Sequence, residues 1–193
     1  MQKKILALIM LSILLLTGCG GDEKVSTIIV EKDGSIRGYI VEEMNASHYD
    51  ADELKESVTK DIAFYNDKYE EKAMELTKFQ YEEGIVKAEI KYKDASFYEL
   101  YNEEVLFVGK VSEALARDFD GNTVLYKVKD KEKQKTLAEL GEKNYHVVIF
   151  SEPVNVKLPK KVLYLSEGLA KGSSSKKVKI TDTTKEIYYI IYE

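Results

Sequence analysis

One cysteine, two histidines and no tryptophan occur among 193 residues, and each shortage closes off a chemistry. With Cys19 alone, no intrachain disulfide can form, so an exported fold must rest on its apolar core. A zinc site wants three or four nitrogen or sulfur ligands held together. His48 and His146 are far apart in the chain, and both read as isolated structural or surface histidines. Arginine, the residue suited to bidentate phosphate and base contacts, occurs only as Arg37 and Arg117. With a formal net charge of −5, that scarcity argues against nucleic acid as a partner. There is no G-x-S-x-G nucleophile elbow and no glycine-rich phosphate loop. Beyond the first 18 residues there is no apolar run of membrane length.

What is present begins at the first residue. Met1-Gln2-Lys3-Lys4 is a short basic opening, and Ile5 to Leu16 form an apolar block interrupted only by Ser12. Twelve helical residues reach about 18 Å, whereas a bilayer core of about 30 Å needs roughly 20. The block has the proportions of a signal-peptide core. It runs into Leu16-Thr17-Gly18-Cys19, where small residues let a protease approach the backbone and a thiol offers a thioether nucleophile.

That tetrad resembles the lipobox of bacterial lipoprotein precursors. The resemblance implies that Leu16, Thr17 and Gly18 are read by signal peptidase II, that the chain is cut after Gly18, and that Cys19 receives a diacylglycerol thioether and further acylation such as palmitate. The alternative is an ordinary secretory leader with an incidental cysteine. Residues 1–18 are thus expected to be a leader, 19–25 a lipidated terminus and short tether, and 26–193 a single domain with a sub-boundary near 141–145. Losing Lys3 and Lys4 but no acid takes the net charge from −5 to −7. No polybasic run adjoins Cys19, so the lipid alone is expected to hold the protein at the membrane.

The remaining residues, 44% hydrophobic and 33% charged over the whole chain, read as a globular body. Lys32-Asp33-Gly34-Ser35 joins two β-rich runs, a hairpin signal. Leu54, Val58, Ile62, Tyr65 and Tyr69 recur at helical spacing, with Asp50 and Glu53 placed as a capping box. A second hairpin turns at Glu82-Glu83-Gly84, and Val86, Ala88, Ile90 and Tyr92 alternate with charged residues. Asp94 caps a short helix with Phe97, Leu100 and Tyr101 on one side. Further on, "EVLFVGKV" reads as a strand, "SEALARDF" as a helical turn or bulged strand, and "KEKQKTLAELGEK" as a charged helix. From His146 the pattern is β, with "GLAKGSSSKK" as a polar loop. In "EIYYIIYE" both faces are apolar, which places that strand inside a sheet or between layers. The expected class is α+β: an antiparallel sheet with two or three helices on one face, then a mostly β C-terminal part.

"TIIVEKDGSIRGYIVEEM" followed by "YDADELKESV", from Thr27 to Val58, loosely resembles uncharacterised surface lipoproteins of low-GC Gram-positive bacteria. The resemblance implies a location and transfers no site. No catalytic residue, metal ligand or cofactor is assigned. "RDFDGNT" lacks the spacing of a calcium loop and reads as a turn at Asp120-Gly121-Asn122. The pairs Glu42-Glu43, Glu70-Glu71, Glu82-Glu83 and Glu103-Glu104 read as solvated surface. Fourteen tyrosines are the remaining signal. Tyr65, Tyr69, Tyr98 and Tyr101 share helix faces and are mostly core, and any exposed group of them is the first place to seek a ligand. The expected function is a noncatalytic binding or scaffolding role at the extracytoplasmic face of the cell membrane, with a protein or glycan partner in the envelope. The rivals are a hydrolase acting on wall or glycan and an accessory solute-binding or sensor lipoprotein.

Overall fold

A computed structural model describes residues 25–44 and 50–193. Residues 1–18, expected to be a leader, together with Cys19 and His48, lie outside the described residues. Within them the chain forms 13 strands and four helices, an α+β fold of two antiparallel-rich sheets. In chain order these are β1 (Thr27–Val30), β2 (Ile36–Glu43), α1 (Ala51–Lys68), β3 (Met74–Glu82), β4 (Ile85–Tyr92), α2 (Ala95–Asn102), β5 (Leu106–Lys110) and α3 (Val111–Ala116). Then follow β6 (Val124–Lys127), β7 (Asp130–Thr136), α4 (Leu137–Leu140), β8 (His146–Phe150), β9 (Asn155–Lys157), β10 (Val162–Leu165), β11 (Leu169–Lys171), β12 (Lys177–Ile180) and β13 (Tyr188–Tyr192).

Local chemistry sets the first half. The Asp33 side chain accepts from the Ser35 backbone at 3.0 Å and closes the first hairpin turn. In the second hairpin, Glu83 and Gly84 have φ of +52° and +79°, the left-handed pair that matches strand twist. Asp50 caps α1 by accepting from Asp52 and Glu53 backbone N–H groups at 2.8 and 3.3 Å. Asp94 caps α2 through Ser96 and Phe97 in the same way. At its far end α1 is pinned to β3: the Asn66 amide donates to the Met74 carbonyl at 2.8 Å and accepts from the Met74 N–H at 2.9 Å.

The seven-stranded sheet has the order β11-β12-β9-β1-β2-β4-β3. Its one parallel pair is β1 with β9, in register Thr27 to Asn155 and Ile28 to Val156. Period-two alternation aims Ile28, Ile36, Ile90, Tyr92, Val156 and Val178 inward. Thr27, Arg37, Lys91, Lys157, Lys177 and Lys179 take the opposite, outer face by the same registers. The six-stranded sheet has the order β5-β8-β13-β10-β6-β7 and is wholly antiparallel. Leu106, Val148, Phe150, Tyr188 and Ile190 on one face join the seven-stranded sheet in one core. Phe107, Val147, Ile149, Tyr189 and Ile191 on the other pack with Val111, Ala114, Leu137 and Leu140 of α3 and α4. All five residues of β13 are buried, as its two apolar faces predict.

The α+β class is as expected, its strands divided between two sheets with helices packed against both. Two local expectations are corrected. The charged helix expected from Lys131 is instead strand β7, and only Leu137–Leu140 is helical. Its residues carry no apolar period because β7 is an edge strand, where exposed charge blocks unwanted pairing. Of the two readings open for "SEALARDF", the structure takes the helical one, as α3 after β5. The segment read as a polar loop opens with edge strand β11, paired with β12. Strands β9, β11 and β12 follow residues 141–145 and complete the sheet begun by β1 and β2.

Candidate functional site

The four tyrosines singled out by helical spacing do not behave alike. Tyr98 is 4% exposed, whereas Tyr69 is 41% exposed. Tyr65 and Tyr101 are half-buried, with ring centroids 5.8 Å apart in an edge-to-face contact. Tyr92 of β4 then links them inward, with its centroid 6.0 Å from Tyr101 and 5.1 Å from Tyr98. Phe64, 62% exposed, touches Tyr65 at the outer end. Tyr69 makes a separate contact with Phe97. The face predicted for α2 omitted Tyr98, which turns out to be its buried residue.

This aromatic run ends on a carboxylate. The Tyr98 hydroxyl donates to Glu152, which sits in the connection between β8 and β9. Next to it, the Ser151 hydroxyl donates to Glu104 at 2.6 Å and accepts from the Val105 N–H at 2.9 Å. Asn102 donates to the Tyr98 carbonyl at 2.9 Å and to the Tyr92 hydroxyl at 3.3 Å. Burial raises Glu152 above the ordinary carboxylate value; the Tyr98 bond opposes this and the Glu104 charge adds to it. Glu42, at the end of β2, is raised by burial and then by the Glu152 charge. Burial lifts Tyr98 well above its usual range, reinforced by the Glu152 charge, and lifts Tyr92 and Tyr101 as well.

Glu42 and Glu104, from distant parts of the sequence, are thus each electrostatically coupled to Glu152. Glu42 and Glu104 belong to pairs read as solvated surface, and the structure corrects that reading for both. Glu152 was not singled out, because a lone Glu before a proline in a loop carries no pattern. The other expected positions are simpler. The Asp120 side chain accepts from the Asn122 N–H at 2.9 Å, an ordinary turn. His146 opens β8 and stacks on Tyr192 at 5.3 Å, with its Nδ1 buried and without a hydrogen-bond partner among the described residues.

The arrangement can hold a proton between a phenol and a carboxylate and tie α2 to the β8–β9 connection. With Tyr98 donating to it, Glu152 already has its partner, so the cluster reads as a latch between layers. Among the described residues, no group of three His, Cys, Asp or Glu side chains is arranged to hold a metal ion. No described helix is long and apolar enough to cross a membrane. No protein family, curated protein or solved structure matches this chain.

Proposed function

We propose that the chain is a lipid-anchored protein of the extracytoplasmic membrane face with a noncatalytic binding or scaffolding role. One observation carries the reading: a basic opening and a twelve-residue apolar block run into Leu16-Thr17-Gly18-Cys19, and this cysteine is the chain's only one. The first strand starts at Thr27, eight residues after Cys19, and eight residues span at most about 29 Å. The body therefore works within a few nanometres of the bilayer. A wall or glycan hydrolase would need two carboxylates open to a substrate, and Glu152 is engaged by Tyr98 instead. Two or more acyl chains give stable attachment where one is marginal.

Cys19→Ala tests the anchor. The expected outcome is loss of cleavage after Gly18 and release of the protein from the membrane pellet, read by fractionation and intact mass. A variant that is still cleaved after Gly18 and still sediments with membranes would contradict the proposal.

A further inference from the structure

Folding changes the electrostatics that the sequence order implies at the anchor. Residues 157–179 carry seven lysines against one acid, Glu167, in a chain of net charge −5. That acid is taken up by Lys185 at 2.9 Å. The segment is far from Cys19 in sequence, but the parallel pairing of β1 with β9 lays it beside the strand that follows the tether. Strand β12 then pairs with β9, setting Lys177 opposite Lys157. Thr27, Asn155, Lys157, Ser173, Lys177 and Lys179 line one shallow groove. On the same sheet Arg37 binds Glu31 at 2.5 Å and Glu89 at 3.5 Å.

We infer that this lysine-lined outer face of β1, β9 and β12 docks against anionic lipid headgroups of the bilayer that holds Cys19. The inference rests on the anchor proposed above. Two features select a lipid surface as the occupant: the charge is complementary to an anionic leaflet, and the chain preceding Thr27 is too short to hold this face far from it. Each lysine near such a surface raises occupancy by roughly fivefold at ordinary ionic strength. The lipid keeps the protein on the membrane, and the lysines choose which face looks down.

The test uses the full chain, processed by its host and reconstituted into vesicles of phosphatidylcholine alone or mixed with phosphatidylglycerol. Flotation is scored first, and a chain that floats with neither vesicle overturns both the anchor and the docking face. For floating protein, a membrane-impermeant amine reagent is applied and labelling is read by peptide mass spectrometry. Lys157, Lys177 and Lys179 are expected to label at least about threefold more slowly on the phosphatidylglycerol vesicles. That protection should vanish at high salt, where screening shortens to about 3 Å. Lys131 and Lys133, on edge strand β7 of the other sheet, should label alike on both. Changing Lys157 and Lys177 to Gln should abolish the protection of Lys179 while leaving circular dichroism unchanged. Equal labelling on both vesicles overturns the docking face while the anchor stands. Protection on phosphatidylcholine that needs added soluble polyphosphate would also overturn it, in favour of a phosphate polymer.

Discussion

The two sheets are built from similar numbers of strands but are packed to opposite ends. The six-stranded sheet is sealed: its central strands β8 and β13 have apolar side chains on both faces, met by the seven-stranded sheet on one side and by α3 and α4 on the other. The seven-stranded sheet carries charge on its outer side, where Lys157 and Lys179 are exposed and Arg37 and Lys177 half-buried. A chain with no disulfide available to its body needs one region that holds the fold. With that supplied by β8 and β13, the outer face of the other sheet is free to carry charge.

The largest expected effect lies in the sealed sheet. Tyr188 is fully buried, stacks on Phe150 with centroids 5.2 Å apart, and donates to the Asp182 carbonyl at 2.7 Å. Tyr188→Ala is expected to cost about 3–5 kcal/mol in chemical denaturation. A cost below about 1 kcal/mol would break the comparison, because the sealed sheet would not then hold the fold. Next comes the covered side of the open sheet. Asn66→Ala removes both bonds to Met74 and is expected to cost about 1–3 kcal/mol, with faster hydrogen exchange in α1 before any other element.

The Glu152 cluster, where α2 meets the β8–β9 connection, gives a smaller, pH-dependent effect. Its folded value lies above the ordinary carboxylate value of 4.5, chiefly through burial. The folded state then holds the proton more tightly than the unfolded chain. The stabilisation is complete below about pH 4.5 and is lost as pH rises through the raised folded value. Asp33 and Asp182, lowered by their bonds to Ser35 and Thr184, act in the opposite sense. The comparison is therefore made against Glu152→Gln, whose thermal midpoint should fall less than that of the parent between about pH 5 and pH 7. Equal slopes would show that Glu152 titrates as it does in the unfolded chain. The smallest effect is on the open face: Lys179→Ala should shift stability by no more than about 0.5 kcal/mol.

Legibility from sequence followed the range of the interaction. Both early hairpins, the caps Asp50 and Asp94, the alternation through Val86 and Tyr92, and the doubly apolar β13 are written in neighbouring residues, and each is found in the structure. Strand β7 reads as helix because "DKEKQKT" has helix-forming residues and no apolar period, whereas its state is decided by pairing with β6. Strand β11 leaves no local signal because three residues are too few to show a period. The acid cluster and the lysine face were invisible for a common reason. Glu42 feels the charge of Glu152, and Thr27 pairs with Asn155, across more than 100 residues of sequence, and no local pattern encodes such a meeting.

Native-state hydrogen exchange of the amides in both sheets tests the division between them most directly. Val147 to Ile149 and Tyr189 to Ile191 should exchange only through global unfolding, with opening free energies equal to the total stability. Edge strands β3 and β11 of the open sheet should exchange at lower free energies through local opening. If β8 and β13 exchanged as readily as β3 and β11, the claim that a sealed sheet holds the fold for an open one would be contradicted.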